Sequence, residues 1–290
     1  MFSKIVVATD LSEASDSVIG CLHGLKSWGA LEIILTHALG IRHLDYMKYE
    51  LARQAEPKLE EQKKLLEAQG FQVTVRIEPD VPAFEINRVA REVKASMIVI
   101  GAQGATLARD LLLGSVATEV LYQAHHPVLV AKLKIDDTKE QIHCEMACTD
   151  FHSHVLFATD FSDTAERAFS YLEKIVESGG RHVTLLHVQN RSGIDPYLRD
   201  RLEEFNRIDQ ERLERMNTRL RELGAEDVRI EIPFGHPVEE IVSCADREGA
   251  TLIVMGSKGR GALASVLLGS VSYQVTRLTK VSVLLVPPIR

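Results

Sequence analysis

Gly101-Ala-Gln-Gly104, nine residues and Gly114-Ser115 form the stretch around which the chain is organised, and the pattern recurs as Gly256-Ser-Lys-Gly259, nine residues and Gly269-Ser270. Each copy follows a short apolar run, Met97–Ile100 or Leu252–Met255, and ends just before helix-like sequence. This order predicts a strand, a glycine loop and a helix N-terminus. Glycines let backbone N–H groups approach a bound anion closely, and a helix N-terminus favours negative charge. We therefore predict a phosphate-binding loop in each half of the chain.

The rest of each half alternates apolar, β-branched runs with amphipathic segments. Continuous apolar runs are typical of strands buried on both faces of a parallel sheet. The predicted strands are Lys4–Thr9, Leu31–His37, Gln72–Ile77, Met97–Ile100 and Pro127–Ala131, then His154–Asp160, His182–Val188, Val228–Ile232, Leu252–Met255 and Val281–Val286. The order βαβαβαβαβ, read twice, predicts an α/β fold of two tandem open parallel five-stranded sheets with helices on both faces.

Internal duplication is the strongest organisational signal in the chain. The glycines and the pair Pro82 and Pro237 recur after 155 positions, whereas His37 and His187 are 150 positions apart. The halves therefore differ by a five-residue insertion near a long charged helix. A polar segment without periodicity separates them, so we predict domains at residues 1–133 and 154–290 joined by a linker at 134–153.

Composition excludes several classes of protein. The net charge of -7 and a pI near 5.9 give no electrostatic footprint for nucleic acid or an anionic membrane. Four cysteines at irregular positions do not form a disulfide framework. No run approaches the length of a membrane span, and the first residues lack the apolar core of a signal peptide. We expect a soluble, cytoplasmic protein.

An acidic residue ends the first strand of each half, at Asp10 and Asp160. In open parallel sheets, ligands bind beyond the carboxyl ends of the strands where the strand order reverses. There a carboxylate can bind a base or ribose hydroxyl while the glycine loop takes phosphates, which suits an adenine nucleotide. Neither half contains a Walker A sequence or the dinucleotide-binding glycine cluster.

Both halves resemble the universal stress protein family, specifically its ATP-binding branch, whose pattern is G-x-x-G, nine residues and G-[ST]. The resemblance covers essentially the whole chain outside the linker. It includes the strand endings Ala8–Ser12 and Ala158–Ser162 and the sequence Gly235-His-Pro237. Asp80 stands where the first half would have that glycine, a departure that could alter the rim of its site. The resemblance implies a sheet order of 3-2-1-4-5 and ATP or AMP as the ligand.

The resemblance also implies site residues in each half. Asp10 and Asp160 would lie at the base and ribose, and Ala38 and Val188 would pack on adenine. The residues that would hold the ribose and phosphates are Gly101, Gly104, Gly114, Ser115 and Val116 in site one, and Gly256, Gly259, Gly269, Ser270 and Val271 in site two. Mg²⁺ could accompany the nucleotide. The only carboxylate beside each loop that could hold it is Asp10 or Asp160.

Family members commonly dimerise through their last strands. The resemblance therefore implies an intramolecular pseudo-dimer with Val128–Ala131 and Val281–Val286 at the seam, and leaves a homodimer open. We interpret the chain as a nucleotide-dependent sensor or signalling module in a stress response. Slow ATP hydrolysis or self-phosphorylation on Ser115 or Ser270 is the enzymatic alternative, although no nucleophile and base pair stands beside the loops. A flavin or electron-transfer module is a third interpretation.

Two further features leave alternatives open. The segment with His143, Cys144, Cys148, His152 and His154 could bind zinc if it were helical, or it could carry free thiols in a linker. Lys258 and Arg260 replace Gln103 and Ala105 of the first loop. If these cations reach the phosphates, site two should hold a triphosphate better than site one; otherwise they point to solvent.

Overall fold

The computed structural model describes residues 2–40, 45–103, 113–136, 143–146, 151–194, 199–260 and 268–289. The chain divides into two compact units, Met1–Thr149 and Asp150–Ile289. Within the described residues no helix is long and apolar enough to cross a membrane.

The first unit is built around five parallel strands. Its elements are β1 (Lys4–Ala8), α1 (Glu13–Gly20), a 3-10 turn (Leu22–Lys26), β2 (Glu32–Ala38), α2 (Asp45–Ala68), β3 (Gln72–Glu78), α3 (Pro82–Glu92), β4 (Met97–Gly101), α4 (Ser115–Gln123), β5 (Val128–Ala131), β6 (Leu133–Asp136) and β7 (His143–Met146). The parallel strands lie in the order β3-β2-β1-β4-β5. Strand order therefore reverses between β1 and β4.

The second unit repeats this plan. Its elements are β8 (Val155–Ala158), α5 (Asp163–Glu177), β9 (His182–Leu186), β10 (Gln189–Asn190), α6 (Arg191–Ile194), a 3-10 turn (Arg199–Arg201), α7 (Leu202–Glu222), β11 (Asp227–Glu231), β12 (Phe234–Gly235), α8 (Pro237–Glu248), β13 (Leu252–Gly256), α9 (Ser270–Leu278) and β14 (Ser282–Val286). Its parallel strands follow the order β11-β9-β8-β13-β14. Its reversal falls between β8 and β13.

Apolar burial explains why these segments are strands. All four residues of β8 and all five of β13 and β14 are buried, as expected for strands covered on both faces. The helices bury one stripe each; in α5 this stripe includes Phe169, whose ring lies 5.5 Å from that of Phe157 on β8. The α/β class and the predicted strand order within each unit are confirmed.

Three features of the fold were not predicted: a hairpin, a 3-10 turn and a short strand pair. The segment expected to be an irregular linker contains β6 and β7, which pair antiparallel. Helix α1 ends at Gly20 and is followed by the 3-10 turn at Leu22–Lys26. Finally, β10 and β12 form a separate short parallel pair in the second unit.

The turn between the first strand and first helix of each unit has a shared geometry. Ser12 and Ser162 cap α1 and α5, each accepting a hydrogen bond from an amide three residues on. The residue before each cap, Leu11 or Phe161, has a left-handed φ of 65° or 57°, unusual for a residue with a Cβ. This tight turn places Asp10 and Asp160 beside the helix N-terminus.

Candidate functional site

In the second unit, Asp160 joins the first strand to the glycine loop. Its Oδ1 accepts a hydrogen bond from the Ser162 amide at 3.1 Å, and its Oδ2 accepts one from the Arg260 amide at 2.8 Å. A Cβ added at Gly259 would lie 2.5 Å from the same Oδ2. Glycine is therefore required where the loop passes this carboxylate.

The glycine loop is closed by backbone hydrogen bonds. The Gly269 amide donates to the Ser257 carbonyl at 2.7 Å, and the Ser257 amide donates to Val286 at 2.8 Å. Gly269 is the N-cap of α9, and no side chain among the described residues caps that end. The first amides of α9 therefore have no side-chain cap among the described residues, and the helix dipole favours an anion there.

A cavity of about 990 Å³ opens beside this loop at the carboxyl ends of β8, β9 and β13. It lies at the strand-order reversal, where open parallel sheets bind ligands. Seven sequence-predicted site residues line it: Asp160, Val188, Gly256, Gly259, Gly269, Ser270 and Val271. The structure thus brings together every residue that the sequence predicted for site two.

His187 follows β9 and also lines the cavity, with its ring 4.6 Å from that of Phe161. Its Nδ1 lies 2.8 Å from the Thr159 carbonyl, and its Nε2 lies 3.4 Å from Oδ2 of Asp209. Burial lowers the pKa of His187, although the Thr159 carbonyl and the Asp209 charge act in the opposite direction. The ring is therefore neutral at neutral pH. We assign its single proton to Nδ1, because a carbonyl oxygen can only accept.

The family model for the universal stress protein family matches residues 1–132 and 152–287. The chain belongs to the universal stress protein family. A universal stress protein of Methanocaldococcus jannaschii is 30% identical over 157 residues, which are 46% of this chain and 97% of that relative. The crystal structure of a universal stress protein from Archaeoglobus fulgidus matches 99% of this chain and 98% of its own at 28% identity, with a TM-score of 0.75.

A further universal stress protein was solved in complex with cAMP. It matches 47% of this chain and 98% of its own at 28% identity, with a TM-score of 0.38. The cyclic nucleotide is a ligand of that protein, and a match of this extent assigns no ligand here.

The first unit of this universal stress protein closes its loop in the same way. The Gly114 amide donates to the Ala102 carbonyl at 2.8 Å, and Gly114 is the N-cap of α4, again without a side-chain cap among the described residues. Of the predicted site-one residues, Asp10, Ala38, Gly101, Gly114, Ser115 and Val116 lie in or beside β1, β2, β4 and the start of α4, whereas Gly104 lies outside the described residues.

The two acidic residues have different surroundings. Oδ1 of Asp10 accepts hydrogen bonds from the hydroxyl groups of Ser12 and Ser15 at 2.5 and 2.6 Å and from the Ser12 amide at 3.1 Å. Ala165 stands at the position of Ser15 in the second unit, so no hydroxyl group is present at that position. Asp10 thus accepts hydrogen bonds from the start of α1, and Asp160 accepts one from the start of α5 and one from its glycine loop.

Several cavity residues were missed by sequence reasoning. They come from β10 and α7: Gln189, Asn190, Phe205, Ile208, Asp209 and Arg212. One signal was available, since the buried stripe of α7 comprises Asp209, Leu213, Met216 and Leu220. A carboxylate in an apolar stripe at helical spacing is unusual and indicates a functional position.

The lowered pKa of His187 leads us to expect a pH-dependent stability of the second unit. The pKa of His187 is lower in the folded than in the unfolded protein, so the unfolded state binds the proton more readily. The free energy of unfolding is therefore at its full value above about pH 6.5 and decreases as the pH falls below it. The His187→Asn variant keeps a donor for Thr159 but cannot be protonated. Its urea midpoint, followed by circular dichroism, should decline less than that of the wild type on acidification. Equal declines would contradict this assignment.

The segment that could bind zinc if it were helical contains a strand instead. His143 and Cys144 lie in β7, so a helical face cannot form across them, and Cys148 lies outside the described residues. His152 and His154 each lie near a hydroxyl, with Nε2 3.2 Å from Ser178 Oγ and 2.8 Å from Thr184 Oγ1. Among the described residues, no three His, Cys, Asp or Glu side chains form a cluster that could hold a metal.

Proposed function

We propose that this universal stress protein binds an adenine nucleotide, ATP or AMP, in the cavity of its second unit and acts as a nucleotide-dependent sensor. The observation that carries the proposal is that seven residues chosen from sequence line one cavity at the strand-order reversal. These residues come from four separate segments of the chain.

The chemistry of the cavity supports an anionic, phosphorylated ligand. The uncapped start of α9 and the side chains of Lys258 and Arg260 supply donors and positive charge at one end. Asp160 and the apolar residue Val188 line the same cavity. A nucleotide has phosphates, a sugar with hydroxyl groups and a flat base, and these groups match the cationic, acidic and apolar residues of the cavity.

The test is the nucleotide content of the purified full-length protein, measured by mass spectrometry after denaturation, together with calorimetric titration of nucleotide-free protein with ATP and AMP. We expect bound adenine nucleotide and saturable binding. Failure to bind either nucleotide would overturn the proposal. Phosphate release and phosphorylation of Ser270, assayed on the same samples, would instead support the enzymatic alternative.

A further inference from the structure

The cavity of the second unit has two chemically different ends. The glycine loop and α9 form one end, and β10 with α7 forms the other. Neighbouring strands are about 4.8 Å apart, so the ends of β13 and β9, with β8 between them, are separated by roughly 10 Å. This distance suits a nucleoside. With phosphates at α9, the base lies beside Gln189 and Asp209.

The Asp209 carboxylate is buried at this end but is held only loosely. The residue is 9% exposed. Gln189 Nε2 lies 3.4 Å from its Oδ2, His187 Nε2 lies at the same distance, and an Arg212 guanidinium nitrogen lies 3.7 Å from its Oδ1. All three distances exceed the usual 2.7–3.2 Å of N–H···O bonds. His187 Nε2 moreover presents a lone pair rather than a proton, given the assignment of its proton to Nδ1.

Gln189 adds a second acceptor that lacks a donor. The backbone amide of Gln189 donates to the Pro233 carbonyl at 2.9 Å, and Gln189 pairs with Phe234 between β10 and β12. These contacts hold the backbone of Gln189 in place. The residue is 3% exposed, and its Oε1 is buried without a hydrogen-bond partner among the described residues. Because buried polar atoms are nearly always paired, this end of the cavity is short of donors.

The first unit lacks this arrangement although it keeps the histidine. Its His37 Nδ1 lies 2.9 Å from the Thr9 carbonyl, as in the second unit. When α2 and α7 are aligned on their matching C-terminal turns, in which Phe71 and Ala225 donate to Leu66 and Leu220, the counterpart of Asp209 is Ala55. The counterpart of Gln189, counted from the paired histidines, is Leu39. The acceptors Asp209 and Gln189 therefore distinguish the second unit from the first, which has apolar residues at the aligned positions.

We propose that Asp209 and Gln189 determine the base selectivity of the second unit, an inference that rests on the nucleotide-binding function proposed above. Their oxygens accept hydrogen bonds from a base edge that donates, such as the exocyclic amino group of adenine. An oxo group at the same position, as in hypoxanthine, carries no proton to donate and would face the Asp209 carboxylate and Gln189 Oε1, so it binds more weakly.

The test compares ATP with inosine triphosphate, which carries an oxo group in place of the amino group at C6 and a proton on N1. Calorimetric titrations use the full-length chain, with Gly114→Val in every protein to remove binding by the first unit. Asp209→Ala, which introduces the residue found at Ala55, is compared with Glu211→Ala, which removes an exposed carboxylate from the same helix. Gln189→Leu, which introduces the counterpart Leu39, is the second variant.

We expect the protein with intact Asp209 and Gln189 to prefer ATP by about ten-fold, or about 1.4 kcal/mol. Asp209→Ala and Gln189→Leu should bring this ratio towards one, and Glu211→Ala should leave it unchanged. Equal affinities for the two triphosphates before substitution, or a ratio preserved in Asp209→Ala and Gln189→Leu, would overturn the selectivity. Absence of binding to both triphosphates would instead show that the nucleotide function itself is wrong. Circular dichroism of each variant establishes that it is folded, and if one variant fails to fold the other decides the outcome.

Discussion

Replacing Gly259 by alanine is expected to weaken ATP binding at the second unit by about 100-fold, or about 2.7 kcal/mol. The added Cβ would lie 2.5 Å from Oδ2 of Asp160, a separation that atoms in proteins do not tolerate. Asp160 cannot simply rotate away, because its two oxygens accept hydrogen bonds from the amides of Ser162 and Arg260. The variant therefore displaces either the carboxylate or the loop, and both line the cavity.

Calorimetry with ATP measures this loss, and the thermal midpoint shows whether the fold survives. Gly20→Ala is the matched control, because a Cβ at Gly20 meets no atom within 4 Å and its φ is not left-handed. The control should bind ATP like the wild type. If Gly259→Ala also bound ATP with unchanged affinity, the loop passing Asp160 would not belong to the binding site.

Exchanging the loop cations for the residues of the first unit should remove the preference for a triphosphate. The double variant Lys258→Gln/Arg260→Ala introduces the residues found at Gln103 and Ala105. Both cations line the cavity, so their positive charge favours a ligand with more phosphate groups. We expect the ratio of ATP to AMP affinity to fall by about ten-fold, with a weaker salt dependence.

The matched control removes the same charge elsewhere in the second unit. Lys280 and Arg215 are both exposed and neither lines the cavity, so Lys280→Gln/Arg215→Ala should leave the affinity ratio unchanged. The ratio is measured by titration with each nucleotide at low and high salt. If the loop variant and the control lose ATP affinity equally, the effect is one of overall charge, and the cations do not contact phosphate.

The fold was predictable because its strands are buried on both faces. Such strands are continuous apolar runs, because moving a buried side chain such as Val6 or Val254 into water costs about 1.5–3 kcal/mol. The elements that were missed lack this signal. Gln189–Asn190 pairs with Phe234–Gly235 over two residues only, and the hairpin of β6 and β7 lies in a polar segment. In both, the pattern is too short or too polar to show a period.

The site was predictable only in part. Gly256, Gly259 and Gly269 stand at a fixed spacing, since the loop must approach an anion and the Asp160 carboxylate without side chains. Asp209 reaches the same cavity from a helix about fifty residues earlier in the chain. Its place in the apolar stripe was visible, but its proximity to His187 was not.

The sequence by itself determined the duplicated α/β architecture and the two glycine loops. Buried strand positions require apolar residues, and loop positions where the backbone closely approaches another group require glycine. Only the tertiary structure decided that Asp160 holds the loop through the Arg260 amide, whereas Asp10 accepts hydrogen bonds from Ser12 and Ser15. It also decided that the long helix of the second unit places Asp209 at the cavity. Such contacts join residues far apart in the chain, and their geometry depends on how the helices pack on the strands rather than on any local pattern.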